Sequence, residues 1–199
     1  MNFIRTSLLG LLALPLAAQS TGFNAGGALI VAPKEYFGAY DKAVHNTIGY
    51  VLNVGYDFNF YQTDVAGRAT LSYNAMPGKE DNGLKTSLNS VQLAGDVFMQ
   101  TSLPELRGVF GLSINTYSAT FSGIEDWQTA NSERHFAFRS CKGIKLGYRL
   151  GFEYAFNKSI SGELLLQQTE LAGKSIDDQY IRRGGINPSW LQLGVHYHF

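Results

Sequence analysis

Apolar and polar residues alternate with a period of two along most of the chain. In the clearest run, residues 144–156, the even positions are Ile144, Leu146, Tyr148, Leu150, Phe152, Tyr154 and Phe156. The odd positions between them are Lys145, Gly147, Arg149, Gly151, Glu153 and Ala155. Leu191, Leu193, Val195, Tyr197 and Phe199 repeat the pattern on the other parity, opposite Gln192, Gly194, His196 and His198. A third apolar face carries Ile48, Tyr50, Leu52, Val54, Tyr56 and Phe58, opposite Asn53, Gly55 and Asp57. Weaker runs cover residues 23–31, 65–73, 91–99, 106–114 and 160–166. Such alternation marks strands whose two faces meet different surroundings. It predicts eight strands and no helix after residue 18.

Connections alternate between short and long. Short ones are expected at Tyr61-Gln62, Ser102-Leu103 and Asn157-Lys158-Ser159, and long ones over residues 33–45, 75–85, 119–141 and 172–188. One end of the strand array is therefore trimmed and the other elaborated. The first 18 residues read as a secretory signal peptide. Arg5 supplies the positive start, an apolar run follows, and Ala17-Ala18 are the small residues before a cut. Residues 19–199 are expected to form one domain.

Composition narrows the class. The chain of 199 residues is 45% hydrophobic and only 16% charged, where a soluble domain carries about 25% charged residues. Sixteen Lys and Arg balance sixteen Asp and Glu, which argues against an electrostatic nucleic-acid binder. A single cysteine, Cys141, excludes an internal disulfide and any cysteine-based metal cluster.

Alternation alone does not say which face is inside. A soluble barrel buries its apolar face, and a membrane barrel turns it outward. Three features favour outward. The polar face is rich in Gly, Ala, Ser and Asn, as a crowded interior requires. The pairs Tyr56/Phe58, Tyr154/Phe156 and Tyr197/Phe199 fall at the short-turn end, as in an interfacial girdle, and Tyr50 is grouped with them. Residues 48–58, tilted, span about 25–28 Å, close to an apolar band of ~25 Å. The export signal points the same way.

The last strand, Leu191-x-Leu193-x-Val195-x-Tyr197-x-Phe199, resembles the C-terminal signature of bacterial outer-membrane β-barrels. With eight strands, short turns and long loops, the chain resembles the OmpA transmembrane domain and OmpX-like small barrels. The resemblance implies an all-β, eight-stranded antiparallel up-and-down barrel, exported by its signal peptide to the outer membrane. It also implies recognition of residues 191–199 by the barrel-assembly machinery. The expected surroundings are outer-membrane lipids and lipopolysaccharide, and the expected state is a monomer. The peptidoglycan-binding domain that follows the OmpA barrel is not expected.

Parity then sends four acids and four bases into the lumen: Asp57, Asp96, Glu153 and Glu163 against Arg68, Arg107, Lys145 and Arg149. A two-residue turn at Tyr61-Gln62 makes Asp57 and Arg68 diagonal neighbours. The turn at Ser102-Leu103 does the same for Asp96 and Arg107. A three-residue turn at Asn157-Lys158-Ser159 sets Glu153 directly opposite Glu163. Like charges so placed need a cation or a shared proton between them, and Arg149 or Arg107 is the expected bridge. Eight strands leave an interior just wide enough for side chains to fill, so paired ions there read as a polar plug.

Other motifs are weaker. His196 and His198 point inward but fall short of a zinc ligand set; no metal and no cofactor is expected. Ser132, Glu133 and His135 invite a hydrolase reading, since some small outer-membrane barrels are lipid A deacylases or acyltransferases. They lie in the longest loop, without strand spacing. Ala172-Gly173-Lys174-Ser175 imitates the end of a phosphate-binding loop, but Gln168 stands where its first Gly belongs. Arg182-Arg183 is read as an exposed charged loop, and a strand is expected to extend around Phe136 and Phe138. The leading function is a non-enzymatic, largely closed barrel serving envelope integrity and surface-loop interactions. The alternative is a narrow porin-like or OmpW-like channel, and a lipid A-modifying enzyme ranks third.

Overall fold

A computed structural model describes residues 21–31, 48–60, 65–81, 84–123, 140–175 and 189–199. The signal peptide, Ser132, Glu133, His135, Phe136, Phe138 and Arg182-Arg183 lie outside these residues, and nothing is described of the Cys141 side chain. Eight strands are present: β1 (Gly22–Val31), β2 (Ile48–Asn59), β3 (Ala66–Asp81), β4 (Leu84–Gln100), β5 (Leu106–Ser122), β6 (Ser140–Ala155), β7 (Ile160–Ser175) and β8 (Trp190–His198). Each pairs antiparallel with its sequence neighbours, and β8 closes onto β1.

The apolar face is outward. Leu29, Leu52 and Leu193 are each about 60% exposed, while Arg68, Glu153 and Ile30 on the opposite face are 2% exposed or less. A water-soluble protein buries these classes the other way round. Outward leucines and buried ions suit a cylinder immersed in hydrocarbon, where closure also pairs every strand edge.

Register fixes the shape. Cross-strand partners lead from Val31 through Leu191, Leu166, Leu150, Phe110, Val97 and Gly67 to Phe58. The next partner on the first strand is Thr21, one before Gly22, which faces Asp57. The circuit thus returns ten residues below its start. A shear of ten over eight strands tilts the strands by about 40° and leaves a bore that side chains fill.

Two turns differ from expectation. At the first hairpin Asp57 faces Arg68 directly and the last pair is Asn59 with Ala66, so the turn is longer than two residues. The Phe60 amide donates to the Val65 carbonyl at 3.0 Å, extending the hairpin one step further. At the second, Gln100 faces Arg107 and Asp96 faces Gly111. Thr101 holds that turn open, accepting from the Leu103 amide and donating to the Leu106 carbonyl. The connection expected over residues 75–85 is instead a continued hairpin. The ladder shifts between Pro77 and Glu80, where proline has no amide to donate.

Inward glycines make room for large neighbours. Gly55 faces Asn24, Gly111 faces Asp96, Gly143 faces Tyr117 and Gly194 faces Glu163. A Cβ at Gly55 would stand 2.7 Å from Asn24 Oδ1, and one at Gly194 would stand 2.8 Å from Glu163 Oε1. In so narrow a bore, a large side chain can lie flat only across a strand position that carries none.

Candidate functional site

The lumen is layered. Towards the short-turn end lie the ions. Arg68, on β3, is the hub. Its Nε donates to Asp57 Oδ1 at 2.7 Å and its Nη1 donates to Glu153 Oε2 at 2.7 Å. The first contact joins adjacent strands, and the second crosses the bore from β3 to β6. Arg107 also holds Glu153, at 2.6 Å, and its guanidinium lies 3.5 Å over the Phe98 ring. Such stacking favours arginine over lysine. Arg149 Nη1 donates to Asp96 Oδ2 at 2.9 Å, again between non-adjacent strands.

These contacts correct three expected pairings. Asp57 and Arg68 are direct partners, not diagonal ones. Asp96 does not meet Arg107, because the longer turn at 101–105 shifts that register by two residues and brings Arg149 to Asp96. Glu153 and Glu163 do face one another, but no single arginine bridges them. Glu153 takes Arg68 and Arg107, and Arg107 reaches it as its direct partner on β5 rather than from across the lumen. Glu163 takes His196, with Nε2 to Oε2 at 2.9 Å, and accepts from Gln192. Lys145 stands apart. It faces Asn115 and Gly173 in the long-connection half and makes no ion pair among the described residues.

The histidines of β8 are the contributors that pattern reading undervalued. His198 Nδ1 lies 2.9 Å from Asp57 Oδ2, and its Nε2 lies 2.9 Å from Ser161 Oγ. Asn24 donates to the same Asp57 oxygen at 2.9 Å. Ser–His–Asp connectivity is that of a hydrolytic triad. Here Ser161 is 1% exposed, and the Asp57 carboxylate is spent on Arg68 and Asn24 as well. No ester can approach Oγ in this arrangement. The relay joins β7, β8, β1, β2 and β3 instead. The available signal was the polar parity of β8, which places both imidazoles among the inward acids.

Above the ions lies a neutral layer. Gln92 donates across the bore to Gln167 Oε1 at 2.7 Å, and Gln167 donates to Ser113 Oγ at 2.9 Å. Towards the long-connection end apolar inward side chains join the polar ones: Ile30, Val51, Met76, Leu88, Tyr117 and Trp190 are buried beside Asn74, Ser90, Asn115 and Thr169. The apolar ones interrupt the polar parity of their strands and were not anticipated.

The girdle aromatics sit on the outer wall. Tyr154 and Phe156 pack edge to face at 5.3 Å, Tyr197 and Phe199 at 5.1 Å, and Phe23 joins Tyr56 at 5.1 Å. Phe58 is half-buried and packs edge to face with Phe60 at 5.2 Å. Tyr50 lies at the other end of β2, two residues from its start, and does not share this ring. Outward Leu191, Leu193 and Val195 continue the face of β8. The segment 172–175 is the end of β7, not a loop before a helix. No group of three or more His, Cys, Asp or Glu able to hold a metal occurs among the described residues.

No protein-family model matches the chain, and no curated protein does. Solved structures do. Neisserial surface protein A is 13% identical, with a TM-score of 0.59 over 90% of this chain and 98% of that one. A major outer membrane protein of Thermus thermophilus is 16% identical, with a TM-score of 0.50 over 90% of this chain and 100% of that one. At such identities the likeness is one of fold, and with the closed register and outward apolar face it gives this chain the fold of the small eight-stranded outer-membrane barrels.

Proposed function

We propose that the protein is a non-enzymatic outer-membrane barrel with a closed lumen. It strengthens the envelope and carries its long connections as surface loops. The observation that supports this most is the set of links across the bore. Arg68–Glu153, Arg149–Asp96 and Gln92–Gln167 each join non-adjacent strands at 2.7 to 2.9 Å. Side chains that touch across the bore support a lumen with no continuous water path. Buried Ile30, Val51, Met76, Leu88 and Trp190 narrow the long-connection end further. Burying so many charges is tolerable only because each acid has partners.

On this reading residues 1–18 direct export, and residues 191–199 are read by the barrel-assembly machinery. The barrel works as a monomer among phospholipid and lipopolysaccharide, without nucleic acid or cofactor. Planar-bilayer recording of the purified barrel tests it. The expected result is no steady conductance at moderate voltage. Steady channels of appreciable size would overturn the closed-lumen reading and favour a narrow solute channel.

A further inference from the structure

The outer wall of an eight-stranded barrel is convex, yet here it carries a groove of about 860 Å³. Its floor is the backbone around Gly27, Gly162 and Gly194, and its walls include Leu29, Leu52, Leu193 and Phe156. The one ionisable carboxyl along it belongs to Glu163, which is turned inward to His196. Gly27 and Gly162 fall on outward parity, the first between Ala25 and Leu29 and the second between Ile160 and Leu164. At Gly27 a Cβ would meet nothing closer than 3.5 Å, so the wall there is open rather than tight.

We propose that this groove holds one acyl chain of a phospholipid from the leaflet at the short-turn end. The inference rests on the membrane reading above and names a specific lipid site within it. Three observations favour a lipid over a second copy of the chain. The volume lies within the roughly 300–1,000 Å³ of sites that enclose a drug-sized molecule, and a single acyl chain is no larger. A stable dimer needs about 800 Å² from each partner, and a groove running across one convex wall from β2 through β1, β8, β7 and β6 to β5 presents little to another convex barrel. Charges of both signs also lie next in sequence to the groove's lower wall. Exposed Lys158 lies two residues beyond the wall residue Phe156, and exposed Glu105 adjoins the wall residue Leu106. The Ala155 amide donates to the Glu105 carbonyl at 2.8 Å, which brings these two turns together. A zwitterionic headgroup would set its phosphate against Lys158 and its ammonium against Glu105.

The test uses the full barrel refolded into phosphatidylethanolamine/phosphatidylglycerol vesicles, extracted into mild detergent and weighed by native mass spectrometry. Gly27→Leu fills the groove. Gly95→Leu is the matched control, on outward parity at a position where a Cβ meets nothing within 4 Å. The wild type and G95L should each retain one phosphatidylethanolamine. G27L should retain at least tenfold less, and Lys158→Glu at least threefold less. Equal retention by G27L and the wild type, with all variants inserted, overturns the lipid site alone. A dimer that G27L dissolves overturns it in favour of a second copy. Failure of every variant to insert overturns the membrane reading, and this inference with it.

Discussion

Replacing Arg68 by Met removes the cation that two buried carboxylates share. Arg68 is 2% exposed, and its guanidinium spends Nε on Asp57 and Nη1 on Glu153, both at 2.7 Å. Methionine keeps an unbranched stem but loses the guanidinium, which also lies 5.1 Å from the Phe98 ring centroid, so the loss is mainly electrostatic. Breaking a buried pair by removing one partner costs about 3–5 kcal/mol, because the other charge stays behind without water. Partial relief comes from Arg107, 2.6 Å from Glu153, and from His198 and Asn24, each 2.9 Å from Asp57. The expected cost is therefore near the lower bound, about 3 kcal/mol. Urea unfolding of the vesicle-inserted barrel, followed by tryptophan fluorescence, measures it. Glu153→Gln in the Arg68→Met background removes one stranded charge. The double variant should be less destabilised than the sum of the singles by about 1–3 kcal/mol. A single-variant cost below ~1 kcal/mol together with additivity would show that Arg68 is hydrated and the cross-lumen link is not made.

Arg68→Lys should be almost as damaging as Arg68→Met in the same assay, since a point charge cannot span both carboxylates as the guanidinium fork does; full stability in Arg68→Lys would refute the two-sided geometry. Gly111→Val should destabilise the barrel by about 1–3 kcal/mol through overpacking, because its Cβ would fall on the Asp96 carboxylate. Gly95→Ala in the same strand pair should be neutral, and similar unfolding midpoints for the two would contradict the seating of large side chains on glycine. Ser161→Ala should cost about 1 kcal/mol, one buried hydrogen bond. The wild-type protein should take up no fluorophosphonate label; labelling that S161A abolishes would revive the hydrolase reading. Phe199→Ala should lower the amount assembled in cells several-fold while leaving the refolded barrel's stability within ~0.5 kcal/mol, because Phe199 is 75% exposed. Unchanged assembly, read from heat-modifiable gel mobility, would remove residues 191–199 as the recognition segment.

Strand number and the choice of inward side chains were legible in the linear chain. Side-chain direction alternates strictly with a period of two, so Ile144, Leu146 and Tyr148 could not share a face with Lys145 and Arg149. Pattern also placed Asp57 beside Arg68 and Glu153 opposite Glu163, since a hairpin pairs residues already near in sequence. Which ion neutralises which was not legible. Turn length moves register in steps that preserve parity, so a turn two residues longer left every charge inside while separating Asp96 from Arg107. Contacts such as Arg68 with Glu153, or His198 with Asp57, join strands that are not neighbours. Only closure with a shear of ten brings those atoms together. The same holds for the apolar side chains that face inward. Ile30, Val51, Met76 and Leu88 break the polar parity of separate strands, and they become one feature only where the tilt carries them to the same end of the bore. Local alternation therefore sets which face a residue occupies, while the circuit of the whole barrel sets what it meets, because a side chain's partner across a narrow lumen is fixed by register summed over all eight strands.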